Sequence, residues 1–186
     1  MKRDIYPVLD IFVRYSLLII IGLLGVKFFY AIFTYMTIYP VYFLLKIFFD
    51  ASLMHKTIII NTIPIEIIGP CIAGSAYSLL LILNLSIPKI KLNRRIYFLL
   101  FSFLSLLIVN ILRISLLSVL FVLGISFFDV THKLFWYVGS TVFVVGIWFI
   151  GVKLFRVKEI PFYSDIKFLL RYSGKKIKKT KRSKKH

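Results

Sequence analysis

The feature that most constrains this chain is a set of four apolar stretches, each long enough or nearly long enough to cross a lipid bilayer as a helix. They occupy residues 11–35, 71–87, 96–123 and 133–152. A transmembrane helix needs about 20 mostly apolar residues. With 60% hydrophobic residues, the chain also carries more apolar surface than a small soluble domain can bury. The sequence therefore predicts an all-α integral membrane protein with about four transmembrane helices.

Basic residues flank the predicted spans unevenly, and this gives their orientation. They precede the first span, separate the second from the third and follow the fourth: Lys2, Arg3, Arg14, Lys89, Lys91, Arg94, Arg95, Lys153, Arg156 and Lys158. The opposite side holds only Lys46, Lys56 and Lys133. Cytoplasmic loops are enriched in Lys and Arg. Both termini are therefore predicted to be cytoplasmic, in a multi-pass protein of the plasma membrane.

The predicted outer segment, residues 36–70, contains two shorter elements. Residues 41–49 are apolar but too short to cross the membrane, so we expect an interfacial helix or an extension of the first helix. Residues 56–69 are rich in β-branched side chains and contain a turn signal at 61–64. This pattern predicts a small outer β-hairpin that leads directly to Cys71.

The C-terminal part of the chain is strongly basic. The chain has 25 Lys and Arg against 7 Asp and Glu, and eight of the basic residues lie within 175–186. This tail is expected to be disordered and to bind anionic lipids, at about 1 kcal/mol per basic residue. RNA phosphates are an alternative partner, but no RNA-recognition motif is present and no specific nucleic acid is expected. Residues 159–174 have apolar side chains at helical spacing, which predicts an amphipathic helix on the inner leaflet, after a transmembrane domain of residues 1–158.

Three polar residues in the predicted spans lie at similar heights. Counting 1.5 Å of rise per residue from the cytoplasmic end of each span places Cys71 at about 25 Å, Arg113 at about 27 Å and His132 at about 31 Å. The hydrocarbon core is about 30 Å thick, so all three lie near its outer boundary. Ionisable residues at such depths are costly and often functional.

This trio is a chemically competent set. A histidine can take the proton of a thiol and return it to a leaving amine. An arginine stays charged and can stabilise a thiolate or an oxyanion. Each residue also has an ordinary explanation, since Cys71 can be a small apolar residue, Arg113 can reach the headgroups and His132 can be interfacial.

Neighbouring residues support a site. Asn110 lies three positions before Arg113 and therefore on the same helix face. Gly74, after Cys71, is expected to let another backbone approach closely. Lys27, in the first span, either reaches the headgroups or faces the site.

These motifs resemble those of the exosortase/archaeosortase family of membrane transpeptidases. The resemblance covers about residues 57–153 and is carried by three elements in order: Pro70-Cys71-Ile72-Ala73-Gly74, then Asn110-Ile111-Leu112-Arg113-Ile114, then His132-Lys133 before a late helix with Gly139. Many family members have one residue between the Cys and the Gly, where this chain has two, and many are longer. The resemblance is therefore to a compact variant.

The resemblance implies a cysteine transpeptidase or protease that acts near the outer membrane face, with no metal or organic cofactor. Cys71 is implied as the nucleophile, Arg113 as the stabiliser of charge and His132 as base and acid. Its implied substrates are membrane-anchored proteins with a C-terminal sorting signal, which consists of a short motif, a transmembrane helix and a basic end.

A non-enzymatic alternative is also consistent with the sequence. A basic tail that binds ribosomes or lipids and a charged residue in a membrane groove, such as Arg113, would suit a membrane insertase or assembly factor. That alternative requires residues 175–186 for function and leaves Cys71 dispensable.

Overall fold

The computed structural model describes residues 6–87 and 90–157. The predicted inner-leaflet helix 159–174 and the basic tail 175–186 lie outside these residues. The described chain is mostly helical, as predicted. In chain order its elements are α1 (Tyr6–Phe48), β1 (Ala51–Met54), β2 (Thr57–Ile60), β3 (Ile63–Glu66), α2 (Gly69–Ile72), α3 (Gly74–Leu85), α4 (Leu92–Val122), α5 (Phe128–Leu134), a π-helical turn (Phe135–Gly139) and α6 (Ser140–Leu154).

Within the described residues, two helical stretches are long and apolar enough to span a membrane. They are Tyr15–Phe48 in α1 and Leu92–Val122, which is the whole of α4. The shorter apolar stretches Gly69–Leu85 and Ser140–Leu154 occupy the places of the second and fourth predicted spans. The helices α1 and α4 also begin earlier than the sequence pattern predicts, at Tyr6 and Leu92, since helical hydrogen bonding need not stop where an apolar run ends.

Helix α1 resolves the two interpretations of residues 41–49. It continues without a break to Phe48, with Pro40 inside it. The extension of the first helix is therefore the correct interpretation, and the interfacial helix is not formed. Ile38, Val41 and Leu45 are almost completely buried, so this extension packs against the rest of the protein on one side.

Aromatic side chains hold α1, α3 and α4 together. The rings of Phe33 and Tyr77 stack with centroids 3.7 Å apart and planes 11° apart. Phe103, on α4, meets both rings edge-on, at 6.1 and 5.7 Å. The Ser78 hydroxyl of α3 donates a hydrogen bond to the Gly22 carbonyl of α1. Edge-to-face and stacked pairs contribute about 0.5–1.5 kcal/mol each beyond burial.

The three strands form an antiparallel sheet in the order β1–β2–β3. The predicted hairpin is β2 and β3, joined by Asn61 and Thr62, whose φ angles of 47° and 76° suit a tight two-residue turn. The prediction lacked β1, which pairs with β2 from Ala51 to Met54. Its alanine, leucine and methionine favour helices, so pairing with β2 overrides local propensity there.

A turn ends α4 near the site, and an arginine side chain caps α3 at the opposite end of the protein. Gly124, at φ 63°, donates its N–H to the Phe121 carbonyl at 3.1 Å, and Ile125 donates to Leu120 at 3.2 Å, which ends α4. At the other end, Arg95 donates to the carbonyls of Leu85 and Ile87, at 2.9 and 2.7 Å. Arg95 thereby satisfies carbonyls at the end of α3 that lack helical partners.

Candidate active site

A pocket of about 300 Å³ lies between β3, α4 and α5. Cys71, Arg113 and His132 all line it. We call it the Cys71 pocket. Its remaining lining is mostly apolar: Pro64, Ile65, Ile67, Ile68, Ile114, Leu117, Phe121, Phe128 and Phe135, with Glu66 and Ser118 as polar members. A concave apolar site with a few convergent polar groups is the usual form of a ligand pocket.

Cys71 lies in the short helix α2, just before a break between two helical segments. The sequence pattern predicts one helix from residue 71 to residue 87, but α2 ends at Ile72 and α3 begins at Gly74. Ala73 between them has φ 60° and ψ 37°, a left-handed conformation that is costly for a residue with a Cβ. The expected continuous helix is therefore wrong, and the half-buried Cys71 precedes the main helix instead of opening it.

Asn110 fixes the backbone of Cys71. Its Nδ2 donates a hydrogen bond of 2.8 Å to the Cys71 carbonyl oxygen. Asn110 is buried in α4, so this bond joins α4 to α2 across the protein interior. The Cys71 N–H in turn donates to the Ile68 carbonyl at 2.9 Å. Both backbone groups of Cys71 are thus hydrogen-bonded, and neither bond uses its side chain.

Gly74 permits a close approach, but an aromatic ring rather than a backbone makes it. A Cβ at this position would lie 2.9 Å from two ring atoms of Tyr30 on α1. The expectation of a second backbone at Gly74 is therefore wrong. The ring occupies the space because α1 and α3 pack side by side, and Tyr30 points across that interface.

We expect Gly74→Ala to destabilise the protein by about 1–3 kcal/mol, because the Tyr30 ring would have to move to admit a methyl group. The matched control is Gly146→Ala in α6, where nothing lies within 4 Å of the added Cβ. That control is expected to be neutral or about 0.5–1 kcal/mol more stable. Thermal unfolding of both variants in detergent measures the difference, and equal unfolding temperatures would contradict the packing argument.

Arg113 is held at the pocket by α6. Its Nη1 donates a hydrogen bond of 3.0 Å to Ser140 Oγ, and that hydroxyl donates to the Phe135 carbonyl at 3.2 Å. The Arg113 Nε is buried and has no hydrogen-bond partner among the described residues. The guanidinium also interacts electrostatically with Cys71. Burial of Cys71 favours the neutral thiol, and the positive charge of Arg113 opposes this larger effect by favouring the thiolate, which is the reactive form.

His132 faces the same pocket from α5. The sequence pattern predicts that it opens the final helix, but α5 begins at Phe128, so His132 lies inside a helix. The new helix begins there because the Phe128 N–H donates to the Ile125 carbonyl and the Thr131 N–H donates to the Phe127 carbonyl, each at 3.0 Å. The His132 ring stacks on Phe128, with centroids 5.5 Å apart and planes 14° apart. The π-helical turn follows three residues later, and such turns occur frequently at functional sites.

One of the residues that the sequence suggested for the site lies away from it. Lys27 is exposed on α1 and does not line the Cys71 pocket. Ser140 and Glu66 do contribute to the site, although sequence reasoning did not select them. Ser140 carried one weak signal, a hydroxyl within an apolar stretch. In the described part of the chain, no group of three or more His, Cys, Asp or Glu residues is placed to hold a metal ion.

Comparison with models of known protein families, with curated proteins and with solved structures finds no significant match. The function of the protein is therefore inferred from the residues and geometry of the Cys71 pocket.

Proposed function

We propose that this protein is a membrane cysteine transpeptidase or protease that acts on the C-terminal sorting signals of secreted proteins. One observation carries the proposal: Cys71, Arg113 and His132 come from three different helices and line one pocket. The order and spacing of their motifs resemble the exosortase/archaeosortase family. A nucleophile, a proton carrier and a fixed positive charge are the parts that thiol acyl transfer requires.

In the proposed reaction, Cys71 Sγ attacks the scissile carbonyl carbon while its proton passes to His132. Arg113 stabilises the negative charge on the thiolate and then on the carbonyl oxygen of the tetrahedral intermediate. The carbon–nitrogen bond breaks, and His132 returns the proton to the leaving amine. A thioester remains on Cys71. An acceptor amine, or water, attacks it and regenerates the thiol.

The proposed topology has four spans, with both termini in the cytoplasm and the Cys71 pocket facing outward. The pocket is lined by the second half of α4, from Arg113 to Phe121, whereas Arg94 and Arg95 lie at the opposite end of that helix. Lys153 lies at the end of α6. The clustering of basic residues at one end supports placing that end on the cytoplasmic side. In this arrangement, α2–α3 and α5–α6 cross the membrane beside the two longer helices.

The direct test is to co-express the protein with secreted proteins from the same genome that carry a C-terminal apolar helix and a basic end. Mass spectrometry of the secreted protein follows loss of that helix, with Cys71→Ala as the matched inactive variant. The mass of the new C-terminus distinguishes hydrolysis from transfer to an acceptor. Processing at the same rate by both proteins would refute the thiol mechanism.

A membrane insertase or assembly factor is the second candidate function. The observation that favours it is a partly buried arginine in a mostly apolar pocket, as in a groove that receives a polar segment during insertion. The proposed roles differ in what they require, because insertion needs Arg113 and the basic tail but not a thiol.

Deletion of the basic tail distinguishes the two proposed functions. We expect deletion of residues 175–186 to leave processing largely intact, because the proposed chemistry uses no residue of that segment. Lipid contact should weaken, since each basic residue near an anionic surface contributes about 1 kcal/mol. The matched control keeps the tail length and replaces its Lys and Arg with Gln. Loss of all function in both variants, with unchanged levels of protein in the membrane, would favour the insertase.

A further inference from the structure

Strand β3 has a free edge that borders the Cys71 pocket. In the described sheet it pairs with β2 alone. Three consecutive residues of β3, 64–66, line the pocket together with the two residues that follow the strand. Alternate residues of a strand point to opposite faces of its sheet. If one face of the strand bordered the pocket, only every second residue would line it. The consecutive lining therefore means that the strand presents its edge.

The register of the sheet identifies which backbone groups point to this edge. The Ile67 N–H donates to the Lys56 carbonyl at 3.0 Å, directly beyond the Thr57–Glu66 pair. Residues of an antiparallel pair alternate between bonding toward their partner strand and pointing away from it. Ile65 and Ile67 therefore bond toward β2, whereas Glu66 and Pro64 point away. Pro64 fits this assignment because it has no N–H to donate.

The free edge consequently presents the Glu66 N–H, the Glu66 carbonyl and the Pro64 carbonyl. Backbone polar groups beside an apolar pocket are costly unless they are hydrogen-bonded. An edge strand with such groups is a template for another extended chain. The chain then passes from Ile68 to Cys71 within three residues, so the edge leads directly to the proposed nucleophile.

We propose that the β3 edge binds the substrate as an added β-strand, which holds an extended peptide segment in register with Cys71. This inference rests on the proposed function, because the occupant is the polypeptide whose bond Cys71 attacks. Main-chain hydrogen bonds to Glu66 supply affinity in this mode of recognition, and pockets for alternate side chains supply specificity. The apolar side chains of Ile114, Leu117 and Phe121 on the opposite wall are placed to contact those alternate side chains.

The test attaches a peptide to the pocket without requiring catalysis. Cys71 is the single cysteine of the chain. An acetylated Val-Thr-Val peptide ending in cysteamine is supplied as its 2-pyridyl disulfide. The Cys71 thiolate attacks the cysteamine sulfur, a new disulfide forms and pyridine-2-thione leaves. Tethering raises the effective concentration of the peptide at the edge to the millimolar range.

Hydrogen exchange of individual amides is then measured in the tethered protein. We expect exchange of the Glu66 amide to slow at least about tenfold, because a hydrogen bond to the added strand then protects it. Exchange at Ile65, which already bonds to β2, should not change. N-methylation should abolish the protection of Glu66 when it is placed at every second position of the peptide and have little effect at the positions between. The reason is that only alternate peptide amides face β3. Unchanged exchange at Glu66, or equal effects of N-methylation at neighbouring positions, would overturn the proposal.

Two variants separate the backbone of Glu66 from its charge. Glu66→Pro keeps the ladder to β2 but removes the N–H that points to the free edge. The added strand should then bind more weakly, and the tethered peptide's own amides should lose protection. Glu66→Gln keeps the N–H and should preserve that protection. Equal protection in both variants would overturn the proposal. Neither measurement requires turnover. A β3 edge that does not bind the peptide can therefore be distinguished from a protein that does not catalyse the proposed reaction.

Discussion

The Cys71→Ala variant is expected to process sorting signals at least about 10⁴-fold more slowly than the wild type. Removing the nucleophile from a cooperating set costs about as much as removing the whole set, on the order of 10⁶-fold in a serine protease. The chain has no second cysteine that could replace it. The rate of release of the C-terminal helix, followed by mass spectrometry over a time course, measures the effect.

The structure makes this substitution specific for the thiol. The contacts of Cys71 with Asn110 and Ile68 are made by its backbone, and alanine keeps both. We therefore expect the variant to unfold at nearly the wild-type temperature. Cys71→Ser is the matched control, because it keeps a side chain of similar size with a nucleophile that is far less ionised. Retention of processing by Cys71→Ala would remove the thiol from the mechanism.

Arg113→Gln is expected to lower the rate of processing by about 10²–10³-fold. Loss of one donor to a developing oxyanion has an effect of this size in known acyl-transfer enzymes. Glutamine keeps a polar side chain but carries no positive charge, so the variant removes the charge beside Cys71. Steady-state kinetics should show the loss in kcat more than in KM, because the charge acts on the transition state.

Ser140→Ala is the matched control for this prediction. It removes the hydrogen bond of 3.0 Å that positions Arg113 but keeps the guanidinium and its charge. We expect a smaller fall in rate, of about fivefold, since one hydrogen bond contributes about 1 kcal/mol. If Arg113→Gln were as active as the wild type, Arg113 would only be reaching toward the headgroups. If Ser140→Ala were the more damaging change, Ser140 would have a role of its own in the reaction.

Much of the helical framework follows from composition, because long apolar runs permit few other structures. The two longest helices were predictable for this reason, whereas the β2–β3 hairpin was predictable from its β-branched residues and its turn signal. Counting residues along the predicted spans placed Cys71, Arg113 and His132 at similar heights without selecting them by itself, and all three line one pocket. Depth depends on the rise per residue alone, so it is insensitive to the details of packing.

The details that shape the site were not predictable from local sequence. Alanine is the best helix former, so nothing in the sequence indicates that Ala73 adopts a left-handed conformation. The π-helical turn has no compositional signature either. Ser140 acquires its role only through contact with Arg113, which lies 27 positions away in the chain. Such features depend on which side chains meet across helices, and a single sequence does not state that.

The π-helical turn at Phe135–Gly139 has a consequence for how the site tolerates insertions and deletions. A π turn holds one residue more than the same stretch of α-helix would. Removing one residue from it would restore regular winding and leave the segments on either side in nearly their present orientation. Removing one residue from the regular turns of α6 would instead rotate everything before it by about 100°, and His132 would be turned away from Cys71 although every side chain of the trio remained. The orientation of the proposed proton carrier is thus expected to survive the loss of one residue within the π turn, whereas the same deletion in α6 would be as damaging as replacing the histidine.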